Sequence, residues 1–188
     1  MTINEIKAKV NNCLELLEKN EKEIIQNDIN ERTIVHKLAE YMQKEFPDLN
    51  VDVEYNRNLE FGEGTPKYIQ EIDREYVKLI RGDSLELRGH FKFYHEHVRQ
   101  ITTYPDIIVH ERGTNYHNVL IIEVKKSNNN TDWALDEAKL KAFTTSKCNS
   151  GYGFQLGMHL IIYTEKPWRK PTYEWWIGGR KENQGIEK

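Results

Sequence analysis

Apolar residues recur along residues 3–26 at Ile6, Val10, Cys13, Leu14, Leu17, Ile24 and Ile25 among Glu, Lys and Asn, the spacing that lays one stripe along a helix. The pattern predicts a first amphipathic helix whose stripe packs either on the core or on a second copy of the chain. Asn27, Asp28, Ile29 and Asn30 interrupt it and offer N-cap residues for a second helix over residues 31 to about 46, closed by Pro47. Val51, Val53 and Tyr55 then alternate with Asp52, Glu54 and Asn56, the two-residue period of a half-buried strand.

Residues 58–66, with Gly62, Gly64 and Pro66, read as a loop. Ile69, Ile72, Tyr76 and Ile80 keep helical spacing up to a turn at Arg81, Gly82 and Asp83, and "HFKFYHEHV" reads as a strand. Residues 58–100 are therefore expected to form an insertion. The runs "YPDIIVH" and "VLIIEVKK" are short, β-branched and separated by the turn-rich "RGTNYHN", which predicts an antiparallel hairpin. Their near-continuous apolar character says that both faces of the hairpin are covered. A helix over "NNNTDWALDEAKLKAFTTSK", capped at Thr131 or Asp132, a buried strand at "GMHLIIYT", an edge strand at "TYEWWIGG" and a polar tail from Arg180 complete the chain. The order predicts an α/β fold, a mixed sheet flanked by helices.

Composition changes this picture only in part. At 188 residues one domain is expected, and four Trp, ten Tyr and six Phe supply core material despite 30% charged residues. Two cysteines, Cys13 and Cys148, are too few for a disulfide framework or a four-thiolate metal site. No early apolar segment resembles a signal peptide and no run approaches the ~20 residues of a membrane span, so the expectation is a soluble cytoplasmic protein. The net charge of −3 hides an uneven spread: residues 1–60 carry 8 basic and 13 acidic side chains, whereas residues 125–170 carry 8 basic and 4 acidic. The second region is either a local attractor of phosphates or ordinary scatter of surface charge.

The chemistry lies where charge enters the hairpin. Side chains two apart on a strand share a face, so Glu123 and Lys125 project together. Asp106 begins the partner strand just after Pro105 and can meet them at the open end. Two carboxylates ~4–5 Å apart in a partly dry site repel by a few kcal/mol at an effective dielectric near 20, and a cation between them relieves this. Oxygen ligands suit Mg²⁺ or Mn²⁺. Such an ion polarises a phosphate oxygen and acidifies bound water, with Lys125 placed to orient that water or neutralise developing charge. Lys139 falls on the apolar face of its helix with Leu135, Ala138 and Ala142, where it either contacts phosphate, snorkels, or pairs with Asp136. Lys126 and Lys147, with Arg169 and Lys170 beside Trp168, could extend a phosphate track. His95 and His97 share a strand face without enough companions for zinc, and His36 and His110 lack an identifiable partner. Neither a GxSxG elbow nor a GxxxxGK[ST] phosphate loop occurs.

"PD" at 105–106, followed 17 positions after Asp106 by "EVK" at 123–125, resembles the signature of the PD-(D/E)xK nuclease superfamily. "ERTIVHKLAEYMQKEFP", "VDVEYNR", "PDIIVHERG", "LIIEVKKS" and "DEAKL" extend the likeness to small bacterial proteins of the restriction-endonuclease-like fold over residues 31–164. The resemblance implies a three-layer α/β nuclease-like domain over residues 31–180, preceded by a helical extension over 1–30 and followed by a tail at 181–188. It further implies that Asp106 and Glu123 bind Mg²⁺ or Mn²⁺ while Lys125 assists the water. The superfamily often adds an acid from the first core helix. At ~100° per residue, Val35, Leu38 and Met42 fall within about 40° of Glu31, and Glu40 lies opposite, so Glu31 is the candidate third carboxylate. Lys126 and Lys139 are the candidate contacts to nucleic acid. The expected function is phosphodiester hydrolysis in DNA. The alternative expectation is a catalytically inactive module of a defence or repair complex, binding nucleic acid or a protein, with the acidic first helix as a homodimer or partner surface.

Overall fold

The computed structural model describes residues 1–56, 68–69, 92–94, 98–129, 133–146 and 152–182. The first helix, α1 (Ile3–Asn20), starts in a capping box: Thr2 Oγ1 accepts from the Glu5 N–H at 3.3 Å, and Glu5 Oε2 accepts from the Thr2 N–H at 2.6 Å. Its stripe of Ile6, Val10, Cys13, Leu14 and Leu17 is buried inside the chain, so that stripe is not free for a second copy. The single helix expected over 3–26 is instead two. Glu21 leaves the helical path, and α2 (Lys22–Gln26) follows as a short separate turn. The Glu21 carboxylate accepts from the Tyr41 hydroxyl at 2.8 Å, and the change of direction lets Ile25 reach the core.

Helix α3 (Glu31–Glu45) begins and ends as the sequence predicts. Asn30 Oδ1 accepts from the Arg32 N–H at 2.9 Å, and Pro47 follows the C-cap Phe46. Ile34, Val35, Leu38, Ala39 and Met42 are its buried face.

Six strands form the main sheet in the order β1 (Asn50–Val53), β5 (Ile107–His110), β6 (Asn118–Lys126), β7 (Leu156–Ile162), β8 (Thr172–Ile177), β9 (Arg180–Lys181). Only the β6–β7 pair is parallel. Such a pair needs a crossover, which α4 (Trp133–Thr144) supplies. The chain is thus α/β, with a mixed six-stranded sheet flanked by helices. The "TYEWWIGG" segment is not the edge expected of it, because Arg180 and Lys181 turn back to pair with Trp176 and Ile177. Gly178 and Gly179 permit that tight return, both at positive φ.

Strand alternation assigns the two faces. Leu120, Ile122 and Val124 join Ile107, Val109, Met158 and Leu160 against α1 and α3. Ile121 and Ile108 join Leu140, Phe143, Phe154 and Trp176 against α4. Gly157 lets α4 approach closely: a Cβ there would meet Thr144 Cγ2 at 2.9 Å and Leu140 Cδ2 at 3.1 Å.

Three strands, β2 (Tyr68–Ile69), β3 (Lys92–Tyr94) and β4 (Val98–Thr102), form a second small sheet in the order β2-β4-β3. Ile69 therefore belongs to a strand and not to the expected helix, the rest of which lies outside the described residues, as do Lys147, His95, His97, the capping pair Thr131 and Asp132, and residues 183–188 of the tail. No helix among the described residues is long and apolar enough to cross a membrane.

Candidate active site

Ile107 pairs with Ile122 across the β5–β6 hairpin, so the next step of the register sets Asp106 opposite Glu123. The strand begins at Ile107, and Pro105, two residues earlier, has no N–H with which to extend the ladder. The Val124 N–H, which a backbone carbonyl of the partner strand would otherwise accept, donates instead to Asp106 Oδ2 at 2.7 Å. The open mouth of the hairpin thereby carries two carboxylates on adjoining strands.

Glu123 and Lys125 share the face that α4 covers, as their two-residue spacing predicts, but each takes its ionic partner from the helix. Lys139 Nζ donates to Glu123 Oε2 at 2.7 Å and lies 3.4 Å from Asp136 Oδ1. Lys125 Nζ lies 3.2 Å from Asp136 Oδ2. Asp136 and Lys139 are one turn apart, so both point down onto β6. The result is an interleaved chain of two carboxylates and two ammoniums beside Asp106, from which Glu123 Oε1 emerges buried and without a hydrogen-bond partner.

Burial dominates the acid equilibria. It pushes the Asp106 carboxyl up to about 6, against the opposing pull of Lys139, the Val124 N–H and Lys125. Glu123, 0% exposed, is raised well above the carboxylate range by burial and by its neighbours Asp106 and Asp136, with Lys139 pulling the other way. Burial acts against the charge of Lys125, but Asp136, Glu31 and Asp106 outweigh it and hold the ammonium above its ordinary value. Lys139 is raised in the same way, by Glu123, Asp136 and Asp106.

Glu31 occupies the first turn of α3, at the end of β6, and its carboxylate is engaged there. Oε2 accepts from the Lys126 N–H at 3.0 Å and from Asn129 Nδ2 at 3.3 Å. Lys126 itself points to the other face, with Nζ 2.5 Å from Asp28 Oδ1 and donating to the Asp28 and Ile29 carbonyls at 3.3 Å. Asp106, Glu123, Lys125 and Lys139 are thus brought together, while Glu31 and Lys126 stand beside the cluster. Among the described residues no three His, Cys, Asp or Glu side chains are grouped to hold a metal ion. His36 is exposed and pairs with Glu40 at 3.4 Å, and His110 Nε2 lies 2.9 Å from Asp52 Oδ2, tying β1 to β5. Arg169 lies over the Tyr163 ring, at 5.7 Å from its centroid.

Two residues were not singled out in the sequence as site residues. Asp136 serves both lysines, and the signal was present as an acid one turn before Lys139 in "DEAKL". His159 is the strand neighbour of Glu123 on β7. Its Nε2 is buried without a hydrogen-bond partner, and the Trp133 ring stands edge-on at 5.5 Å. Burial lowers its pKa, against the pull of Asp136 and Glu174. A lone His inside the apolar run "GMHLIIYT" announces nothing until the register places it. Compared with known proteins, the chain matches no family model, no curated protein and no solved structure.

Proposed function

We propose that the chain is a divalent-metal-dependent nuclease of the PD-(D/E)xK type, with a restriction-endonuclease-like fold, that hydrolyses phosphodiester bonds in DNA. One observation carries the reading: Asp106 stands in register with Glu123 at the hairpin mouth, with Lys125 on the same face as Glu123. The element order around it supports the reading, since the resemblance implies a helix, a meander of three strands, a helix and a further strand, and here α3 precedes the β1-β5-β6 meander and α4 crosses to the parallel strand β7.

The residues present fit a hard cation. Glu123 Oε1 is a buried acceptor with nothing to accept from, and Asp106 and Glu123 on adjoining strands disfavour each other's ionised form, which a shared cation would relieve. Asp106 and Glu123 would hold Mg²⁺ or Mn²⁺, with Glu31 at the periphery. When bound, the ion supplies Lewis acidity toward a phosphate oxygen and acidifies a coordinated water. Lys125, held as an ammonium between Asp136 and the mouth, orients the attacking water and offsets negative charge on the phosphate.

The test is cleavage of plasmid and linear DNA in Mg²⁺ or Mn²⁺ by the full chain, beside Asp106→Ala and Lys125→Ala. The proposal expects each variant to lose at least about a hundredfold in rate. Equal cleavage by all three would assign the activity to a contaminant.

One observation favours the non-cutting alternative: Lys139 already neutralises Glu123. Salt-sensitive DNA binding that ignores Mg²⁺ and survives Asp106→Ala, without cleavage, would select that module.

A further inference from the structure

A buried carboxylate cluster that awaits a divalent ion faces a problem when the ion is absent, because unpaired charge at low dielectric is strongly unfavourable. Here the chain supplies its own cation. Lys139 Nζ is 2.7 Å from Glu123 Oε2 and 3.4 Å from Asp136 Oδ1. The Lys139 side chain is only 14% exposed, so water does little of this work. Lys125 does not duplicate the arrangement, since its ion pair is with Asp136.

The geometry also provides an exit. Asp136 is a second acceptor within 3.4 Å on the lysine's own helix, one turn away. A lysine stem can turn between two such partners without movement of the backbone. We infer that Lys139 is a resident counter-ion of the proposed metal site, holding the cation's place on Glu123 in the free chain and yielding it by turning onto Asp136 when a divalent ion binds. The inference rests on the nuclease reading above and adds a regulatory property to it. Occupancy of the site becomes a competition between an internal ammonium and the external ion, so a competent site assembles only above a threshold of free divalent metal.

The experiment is a Mn²⁺ titration of the full chain without nucleic acid, read by loss of the free-ion paramagnetic resonance signal, for the wild type, Lys139→Met, Lys139→Gln and Lys139→Arg. Removing the competing charge tightens Mn²⁺ binding by at least about tenfold in Lys139→Met and Lys139→Gln, and Lys139→Arg stays close to the wild type. Equal dissociation constants across all four proteins overturn the inference and leave the metal site standing. Absence of Mn²⁺ binding from every one of them removes the metal site and the inference together. If the neutral variants fold poorly in chelator, thermal melting gives the same decision. Recovery of the wild-type melting temperature on adding Mn²⁺ supports the exchange, and failure of Mn²⁺ to restore it overturns the exchange.

Discussion

At the scale of single residues, the site is set by burial acting on acids. A carboxyl whose folded pKa is raised binds a proton more tightly in the native chain than in the unfolded one. Its contribution to stability is therefore most favourable below the unfolded value near 3.8 and is lost as pH rises through about 6, the folded value of Asp106. Stability of the metal-free wild type should fall relative to Asp106→Asn between pH 4 and 7, by on the order of 2 kcal/mol. Urea denaturation of both proteins across that range checks it, and parallel curves would contradict the assignment. Saturating Mg²⁺ should flatten the difference, because a bound cation removes the advantage of protonation. That Asp106 stands opposite Glu123 at the hairpin mouth, with Lys125 on the face of Glu123, was legible in the sequence because strand periodicity and hairpin closure are local rules. The partners of the two lysines were not legible, because they depend on how α4 lies across the sheet.

At the scale of elements, the fit of α4 on β6 and β7 decides whether Asp136 and Lys139 reach the strand acids. Gly157 governs that fit, since a Cβ there would sit 2.9 Å from Thr144 and 3.2 Å from Trp176 Cβ. Gly157→Ala should cost about 1–3 kcal/mol through overpacking and should weaken Mn²⁺ binding and any cleavage by displacing the helix. Chemical denaturation and metal titration of that variant test both effects. A distant control is Thr2→Ala, which removes the α1 cap at a cost of about 1 kcal/mol and should leave metal binding unchanged. Boundaries written in local chemistry appeared in the sequence, such as Asn30 and Pro47 around α3. The break at Glu21 did not, because its reason is tertiary: the Tyr41 hydroxyl bond and the burial of Ile25. The return of Arg180 and Lys181 onto β8 was hidden for a similar reason, since polar residues form a strand only when a neighbour offers pairing.

At the scale of the whole molecule, two apolar layers sit on opposite faces of one sheet and carry different duties. Phe143 on α4 and Met42 on α3 are both fully buried. Phe143→Ala should destabilise the chain by about 3–5 kcal/mol and Met42→Ala by about 2–5 kcal/mol. Only Phe143→Ala should also lower metal affinity at temperatures where both variants remain folded. Equal affinities would mean that the α4 layer does not position the cluster. The N-terminal stretch belongs to the α3 layer, since Ile6, Val10 and Leu17 share a core with Met42, Ile122 and Val124.

Alternation, helical spacing and turn chemistry along the chain were enough to dictate a mixed α/β order, the central hairpin and the placing of Glu123 and Lys125 on one face. These follow from geometry repeated every two or four residues. Folding in three dimensions decided the rest: that Glu123 pairs with Lys139, that Asp136 joins two lysines, and that His159 stands beside Glu123. Each of those contacts joins side chains from different elements, and only the closeness of a helix to a sheet, permitted at Gly157, determines which charges meet.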